Sequence, residues 1–139
     1  MTVITKTLQI KTKGELQIIN ITEDVSKVVK ESKISDGVAT VFVPGSTAAV
    51  TTIEYEPGLL KDFPDMLERI APKNMNYEHE NMWHDGNGHS HVRASLLGPS
   101  LTIPFTKRQL TLGTWQQIVL IELDSRSRDR SIIVQMIGE

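Results

Sequence analysis

Four histidines, His79, His84, His89 and His91, are the only ones in the chain, and they fall within thirteen residues of one another. Three of them are in the string His84-Asp-Gly-Asn-Gly-His-Ser-His91. On a strand, His89 and His91 point to one face, because side chains alternate with period two. Gly86 and Gly88 let the chain turn back and bring His84 in. Three neutral imidazoles with a fourth position open to water are how catalytic zinc sites are built. The spacing therefore predicts a divalent metal on His84, His89 and His91, zinc first, with magnesium the alternative if the substrate is a diphosphate. Asp85 is placed to ligate the ion or orient a histidine, and Glu54 and His79 are further candidates for proton transfer.

Phosphate-binding candidates lie on both sides of this window. Pro44-Gly45-Ser46-Thr47 follows an apolar run, and its amides and two hydroxyls suit an anion. Arg93, two residues past His91, shares its face if the segment is a strand. Asn87 either forms the turn or joins this binding set. Lys107, Arg108, Arg126, Arg128 and Arg130 read as solvated turn residues. No glycine-rich dinucleotide fingerprint and no lysine-bearing P-loop occurs.

The rest of the chain must position these groups. It has 139 residues, 39% apolar and 23% charged, which suits a single domain with one core. There is no cysteine, so disulfide scaffolds and thiolate zinc sites are excluded. Fifteen basic against seventeen acidic residues give a net charge of −2, which argues against nucleic acid as a partner. No apolar run is long enough for a membrane span, and Met1–Gly14 does not read as a signal peptide. These features point to a cytoplasmic protein acting on a small molecule.

Period-two patterning predicts strands over 2–11 and 16–21. Thr22 reads as an N-cap, with Val25, Val28, Val29 and Ser32 on one face of a helix ending near Ile34. Strands follow over 38–43 and 48–55. Leu59, Leu60, Phe63, Met66, Leu67 and Ile70 have helical spacing, kinked or split at Pro64. Residues 71–91 read as a long functional loop. Strands are expected over 92–97, 100–105, 114–123 and 131–137, the last two paired across the turn Asp124–Arg130. The class is α+β, a mostly antiparallel, β-sandwich-like single domain over residues 1–139 with about two helical regions.

Several strings, taken in order, resemble the YjbQ family, also called secondary thiamine-phosphate synthases. They are Ser46-Thr-Ala-Ala-Val-Thr-Thr-Ile-Glu-Tyr-Glu-Pro57, Asn76-Tyr-Glu-His-Glu80, Ser90-His-Val-Arg-Ala-Ser-Leu-Leu-Gly98, Leu112-Gly-Thr-Trp-Gln-Gln117 and Gln135-Met-Ile-Gly-Glu139. The resemblance implies a compact β-rich fold and a homotrimer. It also implies a weak ability to join a pyrimidine diphosphate to a thiazole phosphate, releasing pyrophosphate. By motif position it places Glu54, His79, Asp85, His91, Ser46 and Thr47 at the site. The chain departs from the family at Gly45, where many members carry His, and at His84 and His89, which many members lack. Metal-assisted hydrolysis of a small phosphate or ester, and non-catalytic binding of a metal or ligand, are the alternative readings.

Overall fold

The larger sheet is built around the C-terminal strand. In the computed structural model, which describes residues 1–139, β8 (Asp129–Gly138) runs antiparallel to both β1 (Thr2–Lys11) and β3 (Gly37–Phe42). β3 pairs on its other side with β5 (Ser100–Thr106), which is flanked by the short β6 (Gln109–Leu110). A second sheet places β7 (Gln116–Glu122) between β2 (Gln17–Asn20) and β4 (Ala48–Glu54), again antiparallel. Four helices complete the chain: α1 (Thr22–Glu31), α2 (Pro57–Ile70), α3 (Glu78–Trp83) and α4 (Gly88–Leu97).

Alternation along the strands decides what is buried. Ala39 and Val41, Ile103 and Phe105, and Ile132, Val134 and Met136 turn inward from the five-stranded sheet. They meet Ala48, Val50, Ile118 and Leu120 of the other sheet, with Val25, Val28 and Val29 of α1 joining the same core. The alternate residues of β7, Val119 and Ile121, belong to a second cluster with Ala49, Leu123, Leu67 of α2 and Ala94 of α4. β7 is thus covered on both faces, which is why Ile118–Ile121 is continuously apolar.

The fold is the expected α+β class with eight strands, but it has four helices rather than two. Asn20 Oδ1, not Thr22, accepts from the first helical N–H of α1, at 3.0 Å. The Thr22 hydroxyl instead accepts from Ile118 N–H at 2.8 Å, tying the helix start to β7. α2 runs unbroken through Pro64, opened by Pro57 and by the Glu56 carboxylate, which accepts from Gly58 and Leu59 N–H. Residues 92–97 are helical, not extended. The buried positions of α4, Gly88, His89, Ser90, Arg93 and Ala94, follow a helical period rather than alternation.

β7 and β8 are not partners either. The segment between them carries the chain from one sheet to the other, and charged groups buried at the crossing hold it there. Glu122 is fully buried and accepts from Arg130 Nε at 2.8 Å and Nη2 at 2.5 Å, and from the Thr12 hydroxyl at 2.7 Å. Arg130 also donates to Thr47 Oγ1 at 2.9 Å. Asp124 accepts from Arg128 Nε at 2.8 Å, Ser125 N–H at 2.8 Å, Thr47 Oγ1 at 3.2 Å and Asn87 Nδ2 at 3.4 Å. Arg128 and Arg130 are therefore structural, while Arg126 is exposed.

Burial works against the charge of Asp124, but hydrogen bonds from Arg128, Asn87 and Ser125 N–H prevail and lower its pKa from 3.8 to about 2. A depressed carboxylate contributes stability above its unfolded value and loses it as pH falls through its folded value. Asp124→Asn should therefore be less stable than the parent by about 2 kcal/mol near neutrality. The gap should close between about pH 4 and pH 2. Urea unfolding across that range measures it, and a gap that stays constant with pH would contradict the assignment.

Candidate functional site at the turn between the third and fourth helices

Between α3 and α4 the chain reverses within four residues. His84 closes α3 in the left-handed region at φ 58°, and Gly86 follows at φ 70°. Gly88 then opens α4 directly against α3, where an added Cβ would sit 2.7 Å from Tyr77 Cβ and Glu80 Oε2. The Gly88 N–H donates to Glu80 Oε1 at 2.8 Å, which places a carboxylate at the positive end of the α4 dipole.

This reversal assembles a cluster. His79 Nδ1 lies 3.3 Å from Asp85 Oδ1 and 3.5 Å from Glu80 Oε1, yet it is buried without a hydrogen-bond partner. One potential ligand atom from each of His79, Glu80 and Asp85 falls within 4.8 Å of the others, a spacing suited to a divalent cation. The His79 ring also sits against His91, with centroids 4.5 Å apart. His91 lines a cleft of about 190 Å³ with Gly45, Ser46 and Ser95. Asp85 and Asn87 line a second cavity of about 160 Å³ with Asp124, Ser125, Arg126 and Arg128. His79 thus touches one residue of each. A larger apolar groove of about 380 Å³, between α2 and the outer face of the three-stranded sheet, includes none of the histidines.

The structure does not bring His84, His89 and His91 together. On a helix, residues two apart point about 200° from each other, so His89 and His91 diverge. His89 is 1% exposed, and its Nε2 lies 2.6 Å from Glu15 Oε2. Burial opposes the Glu15 charge, but hydrogen bonds from Lys73 and His89 hold its carboxyl below the ordinary value. His84 is exposed on the turn. Arg93 points away from His91 for the same helical reason. It is buried, donating from Nε to Ala71 O at 2.9 Å and from Nη2 to Glu68 at 2.7 Å, and so fastens the end of α2 to α4.

Ser46 is exposed in the His91 cleft, whereas Thr47 is committed to Asp124 and Arg130. Glu54 is exposed at the far end of β4, roughly 20 Å along the strand from Ala48. Sequence reasoning did not single out Glu80 or Asp124. Glu80 is adjacent to His79, and Asp124 is an acidic residue just past the most apolar strand, the one local signal for each.

The same architecture occurs in solved proteins. A crystal structure from Sulfolobus solfataricus, described as a YbjQ-like protein of unknown function, superposes with a TM-score of 0.89 at 31% identity, covering 99% of this chain and 100% of the other. A Clostridium acetobutylicum protein described as of the yjbq/upf0047 family gives 0.86 at 40% identity, over 95% and 99% of the two chains. The model of the family described as "UPF0047 protein YjbQ-like" matches residues 6–139. The chain belongs to the UPF0047, YjbQ-like family. Among its relatives, the UPF0047 protein of Methanothermobacter thermautotrophicus is 40% identical over all of this chain and 95% of its own length. The UPF0047 protein YugU of Bacillus subtilis is 35% identical over 96% of this chain and 98% of its own.

Within this UPF0047 fold, His89 and His91 should respond oppositely to truncation. His89→Ala removes a buried ring and leaves Glu15 paired with Lys73 alone, at a cost of about 2 kcal/mol or more. His91→Ala should cost no more than about 1 kcal/mol. Thermal and urea unfolding of the two variants make the comparison, and equal losses would contradict it.

Proposed function

We propose that this chain is a small-molecule enzyme acting on phosphorylated substrates, with a reaction of the thiamine-phosphate synthase type. In that reaction the carbon–oxygen bond to the diphosphate of the pyrimidine breaks, and its electrons leave with pyrophosphate. The thiazole nitrogen supplies the electron pair of the new bond. The observation that carries the reading is the position of His79, in contact with a carboxylate pair on one side and with His91 on the other.

His79, Glu80 and Asp85 are the residues that would hold a divalent ion, zinc or magnesium, in place of the trio expected from spacing. Such an ion supplies charge stabilisation to a departing diphosphate. His91 and Ser46 offer polar groups to a substrate in the adjoining cleft, and His91 is placed to move a proton there. Glu80 orients the start of α4 through Gly88 N–H, so the ion site and the His91 helix share one anchor.

A cytoplasmic homotrimer accords with two observations. No helix is long and apolar enough to cross a membrane. No helix packs on the outer face of the five-stranded sheet, which leaves Val38, Phe42 and Ile137 each 38% exposed for a second copy to cover.

Assay of pyrimidine diphosphate with thiazole phosphate, with and without added zinc or magnesium, tests the reading. Formation of thiamine phosphate should require the ion. It should fall about a hundredfold or more in His79→Ala and in His91→Ala. His84→Ala should retain it. Full activity in His79→Ala, or no product with any ion, would overturn the proposal.

A further inference from the structure

We infer that the seam between β4 and β5, where the two sheets part, binds a small neutral heterocycle with lactam edges, a ring that carries N–H and C=O side by side. The strands are joined at one end of the seam, where Val50 N–H donates to Gly98 C=O at 3.3 Å. Beyond that junction no main-chain bond links them, and a cavity of about 250 Å³ opens, lined by Thr52 on one edge and Thr102 on the other.

The main-chain pairing decides which groups turn toward that space. Ile118, the register partner of Thr52, gives its N–H to Thr22 Oγ1 and accepts at its C=O from Ile21 N–H. Opposed residues of an antiparallel pair alternate between exchanging both bonds and exchanging none, so Thr52 turns its N–H and C=O away from β7. Val50, two residues earlier, turns its N–H to Gly98 on that same side. On β5, Pro104 C=O accepts from Thr111 N–H, away from β3, and Thr102, two residues before it, faces the same way. Each edge thus offers the N–H and C=O of one residue, and none of the four has a partner in the chain.

The rest of the lining sets the chemistry of the occupant. No lining residue is charged, so an ion would lose its water there without compensation. The polar side chains are already engaged: Gln116 Nε2 donates to Thr52 Oγ1, the Thr102 hydroxyl pairs with that of Thr40, and the Thr111 hydroxyl donates to Pro104 C=O. Leu101, Ile103, Pro104 and Leu112 supply apolar walls for the faces of a ring. At roughly 30 Å³ per water, the volume holds about eight water-sized groups, the size of one substituted six-membered ring. An added strand is excluded by the shortness of the free edges. Val50 N–H is taken by Gly98, Glu54 C=O by Glu56 N–H and Pro104 C=O by Thr111, and Pro104 has no N–H. A lactam edge needs only one residue, exchanging both bonds with it as a ladder partner does. None of the lining residues belongs to the His91 cleft or the His79 cluster, so the inference goes beyond the proposed reaction and does not rest on it.

Amide proton–nitrogen correlation spectra of the full chain test it, with the cyclic dipeptide of two glycines and uracil as probes at millimolar concentration. The Thr52 and Thr102 amide resonances should move downfield together and saturate at one ring per chain. The cyclic dipeptide of two sarcosines, the same ring with its N–H groups methylated, should bind about tenfold weaker or more. Thr102→Pro deletes a donor that faces away from β3, so it should spare the ladder and weaken the ring about tenfold. The probe comparison needs no variant and stands even where Thr102→Pro fails to fold. Binding of uracil alone would assign the site to nucleobase-like rings, and binding of the cyclic dipeptide alone to peptide-derived ones; either supports the inference. Equal binding of the methylated ring, no saturation by either probe, or shifts confined to other residues would overturn it. So would an uncharged extended peptide that moves both resonances where neither ring does, since that outcome means strand addition.

Discussion

The buried charges where the chain crosses between its sheets are the constraint on which the rest depends. Glu122 is fully buried, and its carboxylate is tolerable there only because Arg130 grips it with two N–H groups and Thr12 adds a third donor. Burying two ions costs several kcal/mol each before their attraction returns any of it, so such a pair is better at fixing a geometry than at adding stability. What it fixes is the meeting of four strand ends. Arg130 and Asp124 both bind Thr47 at the start of β4, and Asp124 binds Asn87 at the start of α4. The turn bearing the candidate site is therefore fastened to the crossing by hydrogen bonds as well as by apolar contact.

That fastening explains how the histidines divide. α4 enters the protein with one side turned to Tyr77, Glu15 and the end of α2, and the residues on that side are His89 and Arg93 rather than aliphatics. His89 acts as a buried connector to Glu15, which in turn pairs with Lys73. His91, rotated to the other side, meets His79 and the Ser46 cleft. One helix thus packs with one histidine and presents the other.

Much of the fold was legible because burial in strands leaves a period-two trace. β1, β3, β4, β5 and β7 all fall close to where alternation or apolar runs put them. α4 was not legible, for a physical reason. Its buried face is Gly88, His89, Ser90, Arg93 and Ala94, of which Ala94 alone is aliphatic and the two large side chains, His89 and Arg93, are held by specific polar partners, so hydropathy carries no helical signal there. The string His-Ser-His-Val-Arg then imitates strand alternation. The β7–β8 pairing misled similarly, since a seven-residue turn suits a hairpin as readily as a crossing, and only the buried Glu122 and Asp124 distinguish them. Within the site, His79, Asp85 and His91 were among the candidates, whereas spacing joined His84, His89 and His91, a trio that the structure keeps apart. Spacing on a presumed strand converges His89 with His91, whereas the helix separates them and the left-handed His84 turn brings Asp85 to His79 instead.

The central claim is that His79, not the His84–His89–His91 trio, is the chemical centre of the molecule. Long-range nitrogen–proton correlation spectra resolve all four imidazoles, and a zinc titration of the full chain reads each separately. The account predicts that the His79 Nδ1 resonance responds first and saturates, that His91 follows through its ring contact, and that His84 and His89 do not move. A joint response of His84, His89 and His91 with His79 unchanged would contradict it.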